Sequence, residues 1–172
     1  MKRSVALLAF LATPVFATGF PPIVTKSFTP SLVGTNQVST LTITLTNPNP
    51  FSLSGASLSD TFPLGLVNAG PFPGTASTTC GSGFVGTSPT SLMMVNGVIP
   101  ANGSCTITAP VLSATPSSYQ NDTGSLFTGA GTSLGGGSAT LVVVPQIPLF
   151  SDAALLLLTI ALGAAALSRL GR

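Results

Sequence analysis

Very few side chains in this sequence could do chemistry. Outside its two ends the chain holds Lys26, Asp60 and Asp122 as its ionisable acids and base, with Cys80, Cys105 and a single tyrosine, Tyr119. There is no histidine, no glutamate and no tryptophan. Acid–base and nucleophilic catalysis need a positioned titratable partner, and no histidine exists to activate a serine or a thiol. Asp60 and Asp122 are the only acids that could share a bond, too thin a set for paired-carboxylate hydrolysis. Two cysteines without histidine fall short of a zinc site. Nucleic-acid binding needs clustered lysine and arginine, which are absent. No enzyme activity, cofactor or nucleic-acid partner is therefore expected, and no buried titratable pair.

The remaining candidates each have a sharp and a bland reading. Cys80 and Cys105 both border Gly-Ser turns and are read as a disulfide in preference to two buried thiols or half a metal site, because the compartment is oxidising. Asp60 lies in Ser59-Asp60-Thr61-Phe62-Pro63. It could join Asn47 or Asn49 around calcium, but one acid is too few, and a side-chain cap on the following turn is preferred. Asp122 reads as a turn residue on the same logic. Asn102-Gly103-Ser104 and Asn121-Asp122-Thr123 match a glycosylation pattern but are read as turns. Tyr119 serves either as a corner hydrogen bond near the start of a late strand or as ordinary core.

These residues must be positioned by strands. Ser39 to Thr46 alternates without error, with Leu41, Ile43 and Leu45 on one face and four threonines on the other. Asn47-Pro48-Asn49-Pro50 ends it. Leu53 to Phe62 resumes with Ala56, Leu58 and Phe62 on one parity, and Cys105, Ile107, Ala109 and Val111 share another face. Further candidates are Ile23 to Phe28, Thr75 to Thr79, Ser91 to Val95, Ser118 to Asn121 and Ala139 to Val144, divided by Gly, Pro and Asn-Gly turns. Gly129 to Ser138 reads as a long hairpin connection. The expectation is an all-β fold: one antiparallel immunoglobulin-like sandwich over residues 20–144.

Both ends carry addresses. Met1-Lys2-Arg3, an apolar run from Val5 to Phe16 and small residues ending at Ala17 form a signal peptide over 1–17, cut after Ala17 by signal peptidase. At the other end, Ile147, Pro148, Ser151 and Asp152 lie in a proline-containing segment over 145–152. A transmembrane helix over 153–168 and a basic tail over 169–172 with Arg169 and Arg172 follow. The apolar run Ala153 to Leu167 gives about 22 Å of helix against about 30 Å of hydrocarbon, which suits a cleavable anchor better than a permanent one. The arginines stay cytoplasmic, leaving the sandwich outside that membrane.

Several spaced segments carry a family resemblance. Ile23 to Pro30, Ser39 to Asn49, Ser59 to Leu66, Thr78 to Gly81, Ile99 to Ile107 and Ser118 to Asn121 together resemble the DUF11-like conserved-repeat domain of bacterial surface proteins. The tail is similar to the IPTL class of exosortase sorting signals of Gram-negative bacteria. Ile147, Pro148 and Ser151 match, Leu149 and Phe150 are apolar variants, Asp152 stands for the acid and Ala153 replaces an aromatic. The resemblance implies cargo for an exosortase-like protease-transpeptidase, held at the inner membrane transiently and delivered to the cell surface or extracellular matrix. A structural or adhesive role is expected, with a glycan-binding module as the alternative. The other partners expected are an extracellular polysaccharide or further copies of the module, since almost no charge is available to guard a sheet edge.

Overall fold

The computed structural model describes residues 19–70 and 75–146. The expected signal peptide with Ala17, the expected sorting segment with Ile147, Pro148, Ser151 and Asp152, the expected anchor, and Arg169 and Arg172 all lie outside the described residues. No helix among the described residues is long and apolar enough to cross a membrane.

The described chain is built of strands. In order they are β1 (Ile23–Thr29), β2 (Leu32–Gly34), β3 (Ser39–Asn47), β4 (Leu53–Thr61), β5 (Val67–Asn68), β6 (Ser77–Thr78) and β7 (Phe84–Ser88), then β8 (Ser91–Ile99), β9 (Gly103–Leu112), β10 (Ser117–Asp122), β11 (Phe127–Thr128), β12 (Gly131–Thr132) and β13 (Ser138–Val144). One sheet runs β1-β3-β9-β5, with β6 also on β9. A second runs β12-β11-β4-β8-β7 and a third β10-β13-β2. An isolated bridge between Asp60 and Thr123 couples the second sheet to the third, so that together they face the first. This is a two-layer sandwich around one core.

The alternation in the sequence determines what fills that core. Leu41, Ile43 and Leu45 of β3 lie opposite Ala109, Ile107 and Cys105 of β9, and all six are buried. Their threonine neighbours form the outer face. Side chains on successive residues point to opposite faces, so each inward set of β3 meets one of β9. Leu53, Ala56, Leu58, Leu92, Met94 and Ile99 close the core from the β4–β8 pair.

Two features depart from the expected pattern. β4 and β8 change register twice, first between Leu53 and Ala56 and again between Ala56 and Leu58. Gly55 takes φ 66° at the first irregularity and Asn96 φ 58° at the second. The extra residue in β4 flips its parity, so Leu53 and Ala56 both face inward; the extra residue in β8 cancels the shift. Asn96-Gly97, read as a turn, is therefore a bulge inside one long strand. The sandwich is also not purely antiparallel. β2 pairs parallel with β13, with Leu32 opposite Val142 and Val33 opposite Val143. β1 ends before Pro30, and the chain crosses from one layer to the other over Pro30 and Ser31.

Candidate functional site

Three polar side chains meet inside the core because each occupies an inward position of its strand. In β1 the inward set is Val24, Lys26 and Phe28. In β4 it is Ala56, Leu58 and Asp60, continued by Phe62. In β10 it is Tyr119 and Asn121, continued by Thr123. Period two alone therefore drives a lysine, an aspartate and an asparagine into the interior between apolar neighbours.

Lys26 Nζ donates to Asp60 Oδ2 at 2.7 Å, and Asn121 Nδ2 donates to the same oxygen at 3.2 Å. Neither side chain of the Lys26–Asp60 pair exposes any area; what exposure Lys26 retains lies along its backbone. Asp60 Oδ1, Asn121 Oδ1 and Thr123 Oγ1 are buried without a hydrogen-bond partner among the described residues. Burial pushes the Lys26 amine down from its ordinary pKa, against the opposing pull of Asp60. Burial likewise pushes the Asp60 carboxyl up, against the hydrogen bond and charge of Lys26 and the bond from Asn121. Desolvation penalises both charged forms, so the two groups move toward sharing one proton as a neutral amine and acid.

The end of the glycine run packs against this cluster. A Cβ on Gly137 would stand 3.1 Å from the Lys26 Cβ, and one on Gly136 would collide with the Thr123 carbonyl. Residues without side chains are needed to lay the connection this close to β1.

This arrangement corrects the sequence reading. Asp60 is neither a calcium ligand nor a turn cap: it points inward from a strand and is consumed by Lys26. Asn121 lies in β10 as the expected strand Ser118 to Asn121 has it, and it is buried there, so the turn read over Asn121-Asp122-Thr123 does not begin at this residue. Asp122 ends β10 with its carboxylate exposed, where hydrogen bonds from Ser138 and Gln120 lower its pKa. The cap expected at Asp60 is found at Asn47. Its Oδ1 accepts the Asn49 amide N–H at 3.0 Å, and its Nδ2 donates to the Phe51 carbonyl at 2.7 Å. Asn49 in turn binds the backbone of Phe20 in both directions. A buried titratable pair exists where none was expected.

Cys80 and Cys105 are joined, with Cα atoms 4.9 Å apart. The bridge ties the crossing between β6 and β7 to the central strand β9, within a tight turn in which Gly83 N donates to the Cys80 carbonyl. Tyr119 makes the corner bond: its hydroxyl donates to the Thr115 carbonyl at 2.8 Å and lies 2.8 Å from Ser113 Oγ. It is buried, so it offers no aromatic platform to a sugar. On the surface, Phe20, Ile23 and Leu134 are exposed around a shallow apolar groove that Pro21 and Pro48 also line.

The fold and its sealed interior define an immunoglobulin-like β-sandwich domain. A family model described as "Domain of unknown function (DUF7933)" matches residues 22–143, and the chain belongs to that family. No curated protein matches it. Among solved structures, a cohesin module from a family 33 glycoside hydrolase of Clostridium perfringens is similar at 10% identity and TM-score 0.53, covering 76% of this chain and 100% of that one. A non-cellulosomal cohesin of Archaeoglobus fulgidus is similar at 8% identity and TM-score 0.51, covering 72% and 92%. The pilus backbone protein RrgB of Streptococcus pneumoniae is similar at 15% identity and TM-score 0.50, covering 66% of this chain but only 34% of that one. At these identities the likeness is one of fold.

Proposed function

We propose that the chain is an exported surface module with a structural or adhesive role. A signal peptide over 1–17 is cut after Ala17. The tail, with Ile147, Pro148, Ser151 and Asp152 before the apolar run and Arg169 and Arg172 behind it, is read by an exosortase-type membrane protease-transpeptidase. The mature sandwich, similar to the DUF11-like domains of surface proteins, is delivered to the cell surface or matrix of a Gram-negative bacterium.

The observation that carries this reading is the Cys80–Cys105 bridge. Structural disulfides belong to oxidising compartments outside the cytoplasm. The similarity in fold to a pilus backbone and to cohesins supports a building or holding role. The titratable side chains Lys26 and Asp60 are sealed from solvent and cannot reach an external substrate, which argues against turnover.

Mass spectrometry of the protein from its own host tests the reading. The expected mature chain begins after Ala17 and ends before the apolar run. Recovery of a chain still carrying Arg172 would remove the sorting proposal, and recovery of Met1 would remove the export proposal.

A further inference from the structure

We propose that Lys26 and Asn121 become joined through their side chains by an amide bond, which the folded domain forms on itself with Asp60 moving the protons. The inference does not depend on the export reading, because all three residues lie inside the described sandwich.

The geometry brings the reactants together on one oxygen. Lys26 Nζ and Asn121 Nδ2 both donate to Asp60 Oδ2, at 2.7 and 3.2 Å. The amine that would attack and the amide that would be attacked are thus held by the carboxylate that must serve both. Reactants fixed in this way gain effective molarities on the order of 10⁵–10⁸ M. The three residues come from β1, β4 and β10, so no local turn explains their meeting.

The protonation states fit. A lysine attacks only as a free amine, and burial favours that form. A carboxyl polarises a carbonyl only as an acid, and burial favours that form of Asp60. One proton passing along the Nζ–Oδ2 hydrogen bond produces both. The unpartnered Asn121 Oδ1 is the missing acceptor. A half-turn of the amide brings Oδ1 to the Asp60 acid proton.

The step then balances. Nζ forms a bond to Asn121 Cγ while Asp60 protonates Oδ1. The Asp60 carboxylate takes one proton from Nζ and passes it to Nδ2. The Cγ–Nδ2 bond breaks, the carbonyl reforms by returning its proton to Asp60, and ammonia leaves. Nothing is oxidised or reduced. The product also resolves the site's unsatisfied groups. A buried ion pair is replaced by a neutral amide and a neutral acid, which cost less to hold in an apolar interior. The Asp60 hydroxyl donates to the new carbonyl, and its second oxygen accepts the new N–H. A purely structural ion pair would leave Asp60 Oδ1 and Asn121 Oδ1 both unused. The full burial of the Lys26 and Asp60 side chains keeps water from the intermediate.

The test is the mass of the full-length chain after folding, unfolded again and reduced, followed by peptic digestion. The expected result is a deficit of one ammonia, about 17 Da, located in a branched peptide that joins Lys26 to Asn121. Lys26→Arg keeps the cation and is expected to show the full mass, and Asp60→Asn to lose most of the cross-linked fraction. A full mass in the folded natural sequence would overturn the proposal. So would a deficit that persists in Lys26→Arg. A deficit of one water, about 18 Da, would place the bond on Asp60 and overturn the assignment of Asn121. Complete cross-linking in Asp60→Asn would overturn the role of Asp60.

Discussion

Thr123 donates its amide N–H to the carbonyl of Gly137 at 2.8 Å. That bond pulls the glycine run across β1 and closes the interior above Lys26. A Cβ at 137 would also meet the Thr25 carbonyl carbon at 3.0 Å, with backbone rather than a flexible side chain as the obstacle. Gly137→Ala is therefore expected to destabilise the domain by about 1–3 kcal/mol through overpacking. Urea unfolding checks this as a lowered midpoint with an unchanged slope.

Removing Asp60 should be among the most damaging substitutions. Asp60→Ala leaves Lys26 facing an apolar interior with no partner, a loss of about 3–5 kcal/mol. Replacing both groups by apolar residues removes the stranded charge. Lys26→Met combined with Asp60→Leu is expected to be more stable than Asp60→Ala, as read from equilibrium unfolding of the three proteins.

The raised pKa of Asp60 gives its contribution to stability an unusual sign. Between its ordinary value of 3.8 and its higher folded value, the native state binds the proton and the unfolded state does not. Stability from this group is full below that window and is lost as pH rises through it. Asp122, whose pKa is lowered, acts in the opposite direction. The difference in unfolding free energy between Lys26→Met and the double variant Lys26→Met with Asp60→Asn isolates Asp60, because Asp122 is common to both and Lys26, whose own lowered pKa depends on Asp60, is absent from both. That difference should fall as pH rises from about 4 and then level off. A difference that rises over this range would contradict the shift.

The disulfide closes a sequence separation of 25 residues. On the chain-entropy estimate, replacing both cysteines by serine should cost about 3–4 kcal/mol. Thermal unfolding with and without reductant should show the natural sequence falling toward the double variant and the double variant unchanged.

Self-association should run through β7 rather than β3. The uncharged strand β3 is paired on both sides, by β1 and β9. Among the described residues the strand β7 pairs with β8 alone; it carries no charge, and Phe84 at its start is 67% exposed. Uncharged edges invite pairing with another copy. Sedimentation of the purified protein should show association that depends weakly on salt and that is diminished by Phe84→Lys.

The regular strands were legible because their burial is one-sided. β3 and β9 announce themselves through apolar residues at alternate positions, and β1, β4, β10 and β13 follow at nearly the expected limits. The short strands β5, β11 and β12 hold two residues each, too few to set a period. β7 reads Phe-Val-Gly-Thr-Ser and is half-exposed along its length, so it has no clear inner face. β8 continues through Asn96-Gly97 because a bulge and a turn use the same residue types. The polar cluster has a signal in the sequence. Asp60 shares the parity of Ala56, Leu58 and Phe62, and Lys26 lies between Val24 and Phe28. A lone lysine and a lone aspartate on inward positions of two strands can be tolerated only if they find each other. The third member, Asn121, shares the parity of Tyr119 in the expected strand Ser118 to Asn121, but an asparagine at a strand end carries no mark of burial.

The parallel pairing of β2 with β13 decides how the module carries tension. Tension that enters β2 at Leu32 and leaves β13 at Val144 pulls the two strands along their lengths in opposite directions. The rungs Leu32–Val142, Val33–Val143 and Val144–Gly34 are then loaded in shear, all at once, and cannot open one after another like a zipper. Upstream of them, the same pull reaches β1 first, and along β1 it meets Lys26. A module attached at one end and tugged at the other thus presents its shear-loaded strands, and its one interior lysine, directly in the line of force.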